Sequence, residues 1–361
     1  MPISWRCMRP ASPTPDAMTG YVTRSSLQLQ TGALILIASC WLLGACSPAA
    51  HEDPEMLTLS GPTMGTRYSI KIVGAKASAA QLSQQVESEL ARLNDIFSTY
   101  TPDSEISALN QKSKAGDYEI SAELWRVMKR ADEIAEASGG AFDMTISPLV
   151  ALWGFSTQGR PAFAEIEREL AVVKTNVGRD LYTLMVPGVI RKHNPHVTFD
   201  LSAIAKGYAV DVLAKLLAAN GFTDFLVEIG GEVRVSGAKP GLAGWRLGVE
   251  APRAENRTLA NVVELSDRAL ASSGDYRNYF EHKGTRYSHL IDPRSGYPVE
   301  SKNIAVNVVT ENCMDADAWA TALTIVGPDN ALALAEAKGL AVQIIIGDVV
   351  HRTEKFEALG F

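Results

Sequence analysis

Gly139-Gly140-Ala141-Phe142-Asp143 ends one helical pattern and begins the loop from which the chain is best read. Upstream, Ser121 is a good N-cap, and Leu124, Val127, Met128, Ala131 and Ile134 recur at helical spacing. The pattern predicts a helix from near Ser121 to the Gly139-Gly140 pair, since glycine suits the left-handed end of a helix. Downstream, small residues beside Phe142 permit close backbone approach to a flat ligand. A helix C-cap with Phe142 in the core explains the same letters.

Working outward, Tyr68, Ile70 and Ile72 alternate with polar neighbours and predict a strand over Thr66–Val73. Leu82, Val86, Leu90, Leu93 and Phe97 predict a helix over Ala79–Phe97. A third helix is expected from about Ser202 to Asn220, with Ala205, Val212, Leu213, Leu216 and Leu217 inward and Gly221 as its stop. Strand runs are expected on both sides of Gly230-Gly231, and at Trp245–Val249, Asn303–Val309 and Leu340–Ile346. A fourth helix should run from about Asp315 to Ile325. No repeat or linker interrupts residues 57–361, so the expected fold is α+β, one compact mixed α/β domain.

The 361 residues carry a net charge of -7 and no Lys/Arg cluster, which argues against a nucleic-acid surface. Hydrophobic residues at 46% and charged residues at 21% are ordinary for a globular protein with a full core. Ala33 to Leu43 is an apolar run of eleven, short of the roughly 20 residues that span a bilayer. It ends in Leu43-Gly44-Ala45-Cys46, which resembles a bacterial lipobox. The expected organisation is a lipoprotein signal peptide over 1–45, lipidated Cys46, a tether over 46–56 and the domain over 57–361. Met18 makes a more typical leader start than Met1. That organisation implies a membrane-anchored protein facing the periplasm, on the inner or outer membrane; Ser47 favours the outer. Of four cysteines only Cys313 remains in the folded body, which leaves no internal disulfide and makes Cys313 a packed small residue.

The chemistry-bearing residues form several clusters. Asp317 and Thr321, four apart on the fourth helix, share a face, and their hard oxygens suit Mg²⁺ better than zinc; an exposed polar face is the plain alternative. Asp200 precedes the third helix, where its carboxylate can cap free N–H groups. Gly207 inside that helix costs about 1 kcal/mol against alanine and points to a ligand or backbone that must come close. Lys206 beside it suits a pyrophosphate charge or plain solvent. His289, in Ser288-His289-Leu290-Ile291-Asp292-Pro293, has the pKa range of a general base, and equally that of a structural histidine. His193-x-x-His196 flanks Pro195 in a polar loop and is not a metal pair. No Gly-x-Gly-x-x-Gly or Walker A sequence is present.

Together, Gly140–Asp143, Asp200–Tyr208, Ser288–Pro293 and Asp315-Ala316-Asp317-Ala318-Trp319-Ala320-Thr321 resemble the ApbE family, the FAD:protein FMN transferases, over about Met64 to Gly327. The resemblance implies Mg²⁺ held by Asp317, Thr321 and the backbone carbonyl at Ala203. Ala320 stands at a further metal position, where some relatives carry Asp. It also implies flavin contacts at Met64, Tyr100, Ala141, Phe142, Asp143, Asp200, Lys206 and Ile291, with Trp153-Gly154-Phe155 and the clusters Gly230-Gly231-Glu232 and Ser272-Ser273-Gly274-Asp275-Tyr276 nearby. His289 is implied as base toward the acceptor hydroxyl. The activity implied is transfer of FMN from FAD to a Ser or Thr of a redox-complex subunit, with release of AMP. The alternatives are hydrolysis of FAD to FMN and AMP, and a non-catalytic flavin-binding lipoprotein.

Overall fold

Met64 and Gly65 make a two-residue turn with φ of 45° and 70°. It joins β1 (Met56–Thr63) to β2 (Thr66–Val73) in an antiparallel hairpin in which Thr63 faces Thr66. Two positive φ values match the right-handed twist of the flanking strands. The computed structural model describes residues 56–74, 79–156, 159–253, 258–276, 278–300 and 302–360. Cys46, the proposed leader, the tether up to residue 55 and Arg277 lie outside them. β1 begins at the last residue assigned to the tether.

After the hairpin come α1 (Ala79–Phe97), α2 (Glu105–Asn110), β3 (Gly116–Glu119), α3 (Ala122–Ala137), α4 (Ser147–Leu152) and α5 (Phe163–Lys174). Then follow β4 (Tyr182–Leu184), β5 (Val189–Lys192), α6 (Ala205–Ala219), β6 (Phe225–Ile229), β7 (Glu232–Ser236), β8 (Trp245–Glu250) and β9 (Leu259–Leu265). The remainder is β10 (Ala269–Gly274), β11 (Tyr279–His282), β12 (Thr285–Ile291), β13 (Pro298–Glu300), β14 (Ile304–Thr310), α7 (Cys313–Val326), α8 (Pro328–Ala337), β15 (Ala341–Ile346), β16 (Val349–Arg352) and α9 (Glu354–Glu357).

An eight-stranded sheet in the order β1-β2-β6-β7-β10-β14-β15-β16 organises the molecule, and every neighbouring pair in it is antiparallel. Helices on an antiparallel sheet make this an α+β arrangement. One sheet face carries Ile70, Ile72, Val227, Val306, Val308, Val342 and Ile344 into a core shared with α1, α3, α6 and α7. The opposite face sends Val235, Ala305, Val309 and Ile345 against the β8–β9 hairpin through Trp245, Leu247 and Val263. Cover on both faces explains why β14 and β15 are nearly continuous apolar runs instead of alternating ones.

Two helix starts differ from the sequence expectation. α6 begins at Ala205, three residues after Ser202, because Ile204 takes a non-helical φ/ψ of -146°/-26°. Asp200 consequently accepts from the Ser202 N–H at 2.8 Å in the preceding loop and does not cap the helix. α7 begins at Cys313, where Asn312 caps it by accepting from the Asp315 N–H at 2.9 Å. The buried Asp211 of α6 adds a second anchor, its two oxygens each accepting at 2.9 Å from the N–H groups of Cys313 and Met314. Arg130 of α3 clamps Asp315 through two hydrogen bonds of 2.7 and 3.0 Å. Three elements thus fix the first turn of α7, and with it the position of Asp317.

Candidate active site

A cavity of about 870 Å³ opens where the β1–β2 turn, the loop after α3, the first turn of α6, α7 and β12 converge. Its size falls within the range of small-molecule sites, about 300–1,000 Å³. Met64, Tyr100, Ala141, Phe142, Asp143, Asp200, Ala203, Lys206, His289, Ile291, Asp317 and Thr321 all line it. These residues come from positions more than 250 apart in sequence, so the fold itself gathers them.

The centre of the site is a substitution of hydrogen-bond partners at the start of α6. In a regular helix the Gly207 N–H would bond the carbonyl four residues earlier, that of Ala203. Here it donates to Asp317 Oδ2 at 3.0 Å. The Asp317 carboxylate thereby caps an orphan N–H of α6 and meets the positive end of its dipole. Close approach is possible because Gly207 has no side chain: a Cβ there would lie 2.3 Å from the Cys313 carbonyl oxygen and 2.8 Å from Asp317 Cβ. The neighbour that required this glycine is backbone. No hydrogen bond reaches the Ala203 carbonyl or the Thr321 hydroxyl among the described residues.

One buried carboxylate, a hydroxyl one helical turn away and an uncommitted carbonyl are three hard oxygen donors on one cavity. Such a set fits a small divalent cation that also takes oxygens from water and from a bound phosphate. No group of three His, Cys, Asp or Glu side chains with metal-holding geometry occurs among the described residues. A softer metal is thus poorly matched. Ala320 is buried, does not line the cavity, and its carbonyl accepts from Thr324 Oγ1 at 2.8 Å. It therefore offers this site no ligand.

Lys206 lies between two carboxylates, its Nζ 3.4 Å from Glu232 Oε1 and 3.6 Å from Asp317 Oδ1. Burial disfavours its charge, but the attraction of Asp317 and Glu232 outweighs this and holds the ammonium pKa above its ordinary value. Burial pushes the Glu232 carboxyl up, and Lys206 only partly offsets the effect. Burial also raises Asp143, whose Oδ1 accepts from the N–H and hydroxyl of Thr145 at 2.8 and 2.6 Å.

His289 faces the cavity from β12. Its Nδ1 is 3.1 Å from the Asn278 carbonyl, which can only accept, so Nδ1 carries the proton and Nε2 presents a lone pair. Burial lowers the imidazole pKa, the Asn278 bond opposes this, and the Lys206 charge adds to the lowering. The ring is therefore neutral near pH 7 and can accept a proton. Tyr100 stands at the cavity with 70% of its surface exposed, leaving a ring face open for stacking.

Other lining residues escaped the sequence reading or received no role in it. Asn94 and Ser98 follow the α1 face, and Asn307, buried on β14, accepts from the Ser272 hydroxyl at 2.7 Å. Glu232 reads in sequence as the end of a Gly-Gly hairpin that the resemblance sets near the flavin, with no role of its own. A polar residue inside an otherwise apolar strand, as at Asn307, was the available signal. Trp153 does not line the cavity; it is fully buried in a separate apolar cluster with Leu149 and Phe280, its indole N–H donating to the Gly296 carbonyl at 2.8 Å, while Phe155 reaches the cavity wall. Cys313 is fully buried, which raises its thiol pKa and makes it a packing residue. His193 pairs with Thr183 Oγ1 at 2.8 Å.

Residues 64–346 match the model of the ApbE family. Among curated proteins, the FAD:protein FMN transferase of Vibrio cholerae is 38% identical over 315 residues, 87% of this chain and 93% of that protein. That of Haemophilus influenzae is 36% identical over 338 residues, 90% and 96% respectively. The solved structure of the flavin transferase ApbE from Vibrio cholerae, a histidine-to-glycine mutant, superposes with a TM-score of 0.77 at 36% identity, covering 84% of this chain and 99% of that one. The apo flavinyl transferase ApbE of Pseudomonas stutzeri gives 0.75 at 34%, covering 84% and 96%. With the match spanning most of its length and both sheet faces accounted for, the chain belongs to the ApbE family.

Proposed function

We propose that this protein transfers FMN from FAD to a Ser or Thr hydroxyl of an acceptor protein and releases AMP. The observation that carries this reading is the meeting, on one cavity, of His289 with a free Nε2 and the Asp317, Thr321 and Ala203 oxygens. Met64, Tyr100, Ala141 and Phe142 supply apolar and aromatic surface for the isoalloxazine, and Asp143, Asp200, Lys206 and Ile291 complete the flavin contacts. Asp317, Thr321 and the Ala203 carbonyl would hold Mg²⁺, which would supply positive charge to the pyrophosphate. His289 Nε2 takes the proton of the acceptor hydroxyl. The acceptor oxygen bonds the FMN-side phosphorus, the bond from that phosphorus to the bridging oxygen breaks, and AMP departs with that oxygen. Lys206 faces the charge that builds on the leaving phosphate.

The relatives named FAD:protein FMN transferase support this activity, and the acceptor class proposed is a subunit of a membrane redox complex. Leu43-Gly44-Ala45-Cys46 supports lipid anchoring at Cys46 with the domain facing the periplasm. The test is FAD binding and AMP release, measured together on wild type and His289→Ala with Mg²⁺ and an acceptor. Wild type should bind FAD and release AMP. The variant should bind FAD and release AMP roughly 10²- to 10⁴-fold more slowly, the scale of a general base. Wild-type binding with no AMP would instead make the protein a flavin store.

A further inference from the structure

Glu232 opens β7 directly after the Gly230-Gly231 turn and lines the cavity with only 5% of its surface exposed. Its Oε2 has no hydrogen-bond partner. A buried carboxyl oxygen left without a partner is uncommon and calls for a reason.

The hydrogen bonds of Asp317 supply one. Oδ2 is occupied by the Gly207 N–H at 3.0 Å, and the Lys206 ammonium lies 3.6 Å from Oδ1. Lys206 also donates to the Ser202 carbonyl at 3.1 Å and is 3.4 Å from Glu232 Oε1, so its three N–H groups are shared among three acceptors. A divalent cation on Asp317 needs Oδ1, the oxygen the ammonium faces. Like charges repel at such distances, so a cation on that oxygen favours an ammonium drawn away from it. Glu232 already touches the ammonium through Oε1 and holds a second oxygen with no partner.

We propose that Glu232 is a positioning residue: it takes the Lys206 ammonium from Asp317 when the cation binds, and so leaves Asp317 Oδ1 to the cation. The inference rests on the cation site proposed above. Glu232 acts through Lys206 and touches neither metal nor flavin. Lys206, drawn toward β7, stays on the cavity wall for the phosphate that the cation brings with it.

The experiment is Mn²⁺ binding, read by loss of the free-ion EPR signal, with FAD present and no acceptor. It compares wild type, Glu232→Gln, Lys206→Met and the double variant. Glu232→Gln should weaken Mn²⁺ binding on the order of tenfold, the scale of one charge-assisted contact. In the Lys206→Met background the same change should matter by less than about twofold, because no ammonium remains to be moved. Glu232→Asp keeps the carboxyl group and should bind within about threefold of wild type. An equal loss in both backgrounds, no loss in either, or an Asp variant as weak as the Gln variant overturns the inference. A wild type that binds no Mn²⁺, or an Asp317→Ala variant that binds it undiminished, contradicts the cation site itself and removes the inference with it.

Discussion

The Gly207 N–H donates to Asp317 Oδ2 at 3.0 Å, and this one bond ties the first turn of α6 to the first turns of α7. It diverts the Gly207 N–H from the Ala203 carbonyl, so the contact that orients the carboxylate also leaves a backbone oxygen uncommitted beside it. Gly207→Ala would force a methyl to within 2.3 Å of the Cys313 carbonyl. Overpacking of this kind costs about 1–3 kcal/mol, more than the roughly 1 kcal/mol that alanine returns in helix propensity. The variant should melt a few degrees lower and lose Mg²⁺-dependent AMP release. Wild-type melting and activity would show that α6 and α7 need no such close contact.

Asp317→Ala should abolish Mg²⁺-dependent turnover with the fold intact, because the site then keeps no carboxylate on α7. Thr321→Ala should be milder, since water can replace a neutral oxygen ligand. A Mg²⁺ titration checks both. Identical curves for Asp317→Ala and wild type would remove the metal assignment.

His289 must be neutral to accept the acceptor proton, and burial lowers its pKa below the ordinary 6.5. Transfer should therefore be fully active above that value and decline only as pH falls through the lowered pKa. The pH dependence of kcat/KM reads this limb directly. An acid limb at or above pH 6.5, or one unchanged in His289→Ala, would assign the titration to another group.

Much of the fold was legible because periodicity and burial agreed. α1 buries Leu82, Val86, Leu90, Leu93 and Phe97, and α3 starts beside its Ser121 cap, as their patterns predict. β6 and β7 flank Gly230-Gly231 as expected. β1 is not evident in the sequence because its inward positions after Leu57 and Leu59 are Gly61 and Thr63, too weak an apolar set to announce a strand, and its pairing with β2 supplies the missing signal. β10, Ala-Leu-Ala-Ser-Ser-Gly, has small residues and no strand signature; its place between β7 and β14 comes from tertiary pairing. At the site, Asp317 and Thr321 were legible as a helix face, but nothing local announces that Glu232 and Lys206 meet across 26 positions of chain.

Cys46→Ser should yield a soluble or unprocessed form, because the proposed lipid is attached through that sulfur. Membrane fractionation with a lipid label tests this. A processed, labelled membrane protein from the variant would refute the lipobox reading.

The most direct measurement is the intact mass of a candidate acceptor, a redox-complex subunit, after incubation with this protein, FAD and Mg²⁺. The account predicts that the acceptor gains one FMN, through a Ser or Thr, with one AMP released per FMN attached, and that His289→Ala slows the gain. AMP released from FAD with the acceptor mass unchanged, water having taken the place of the hydroxyl, would contradict it.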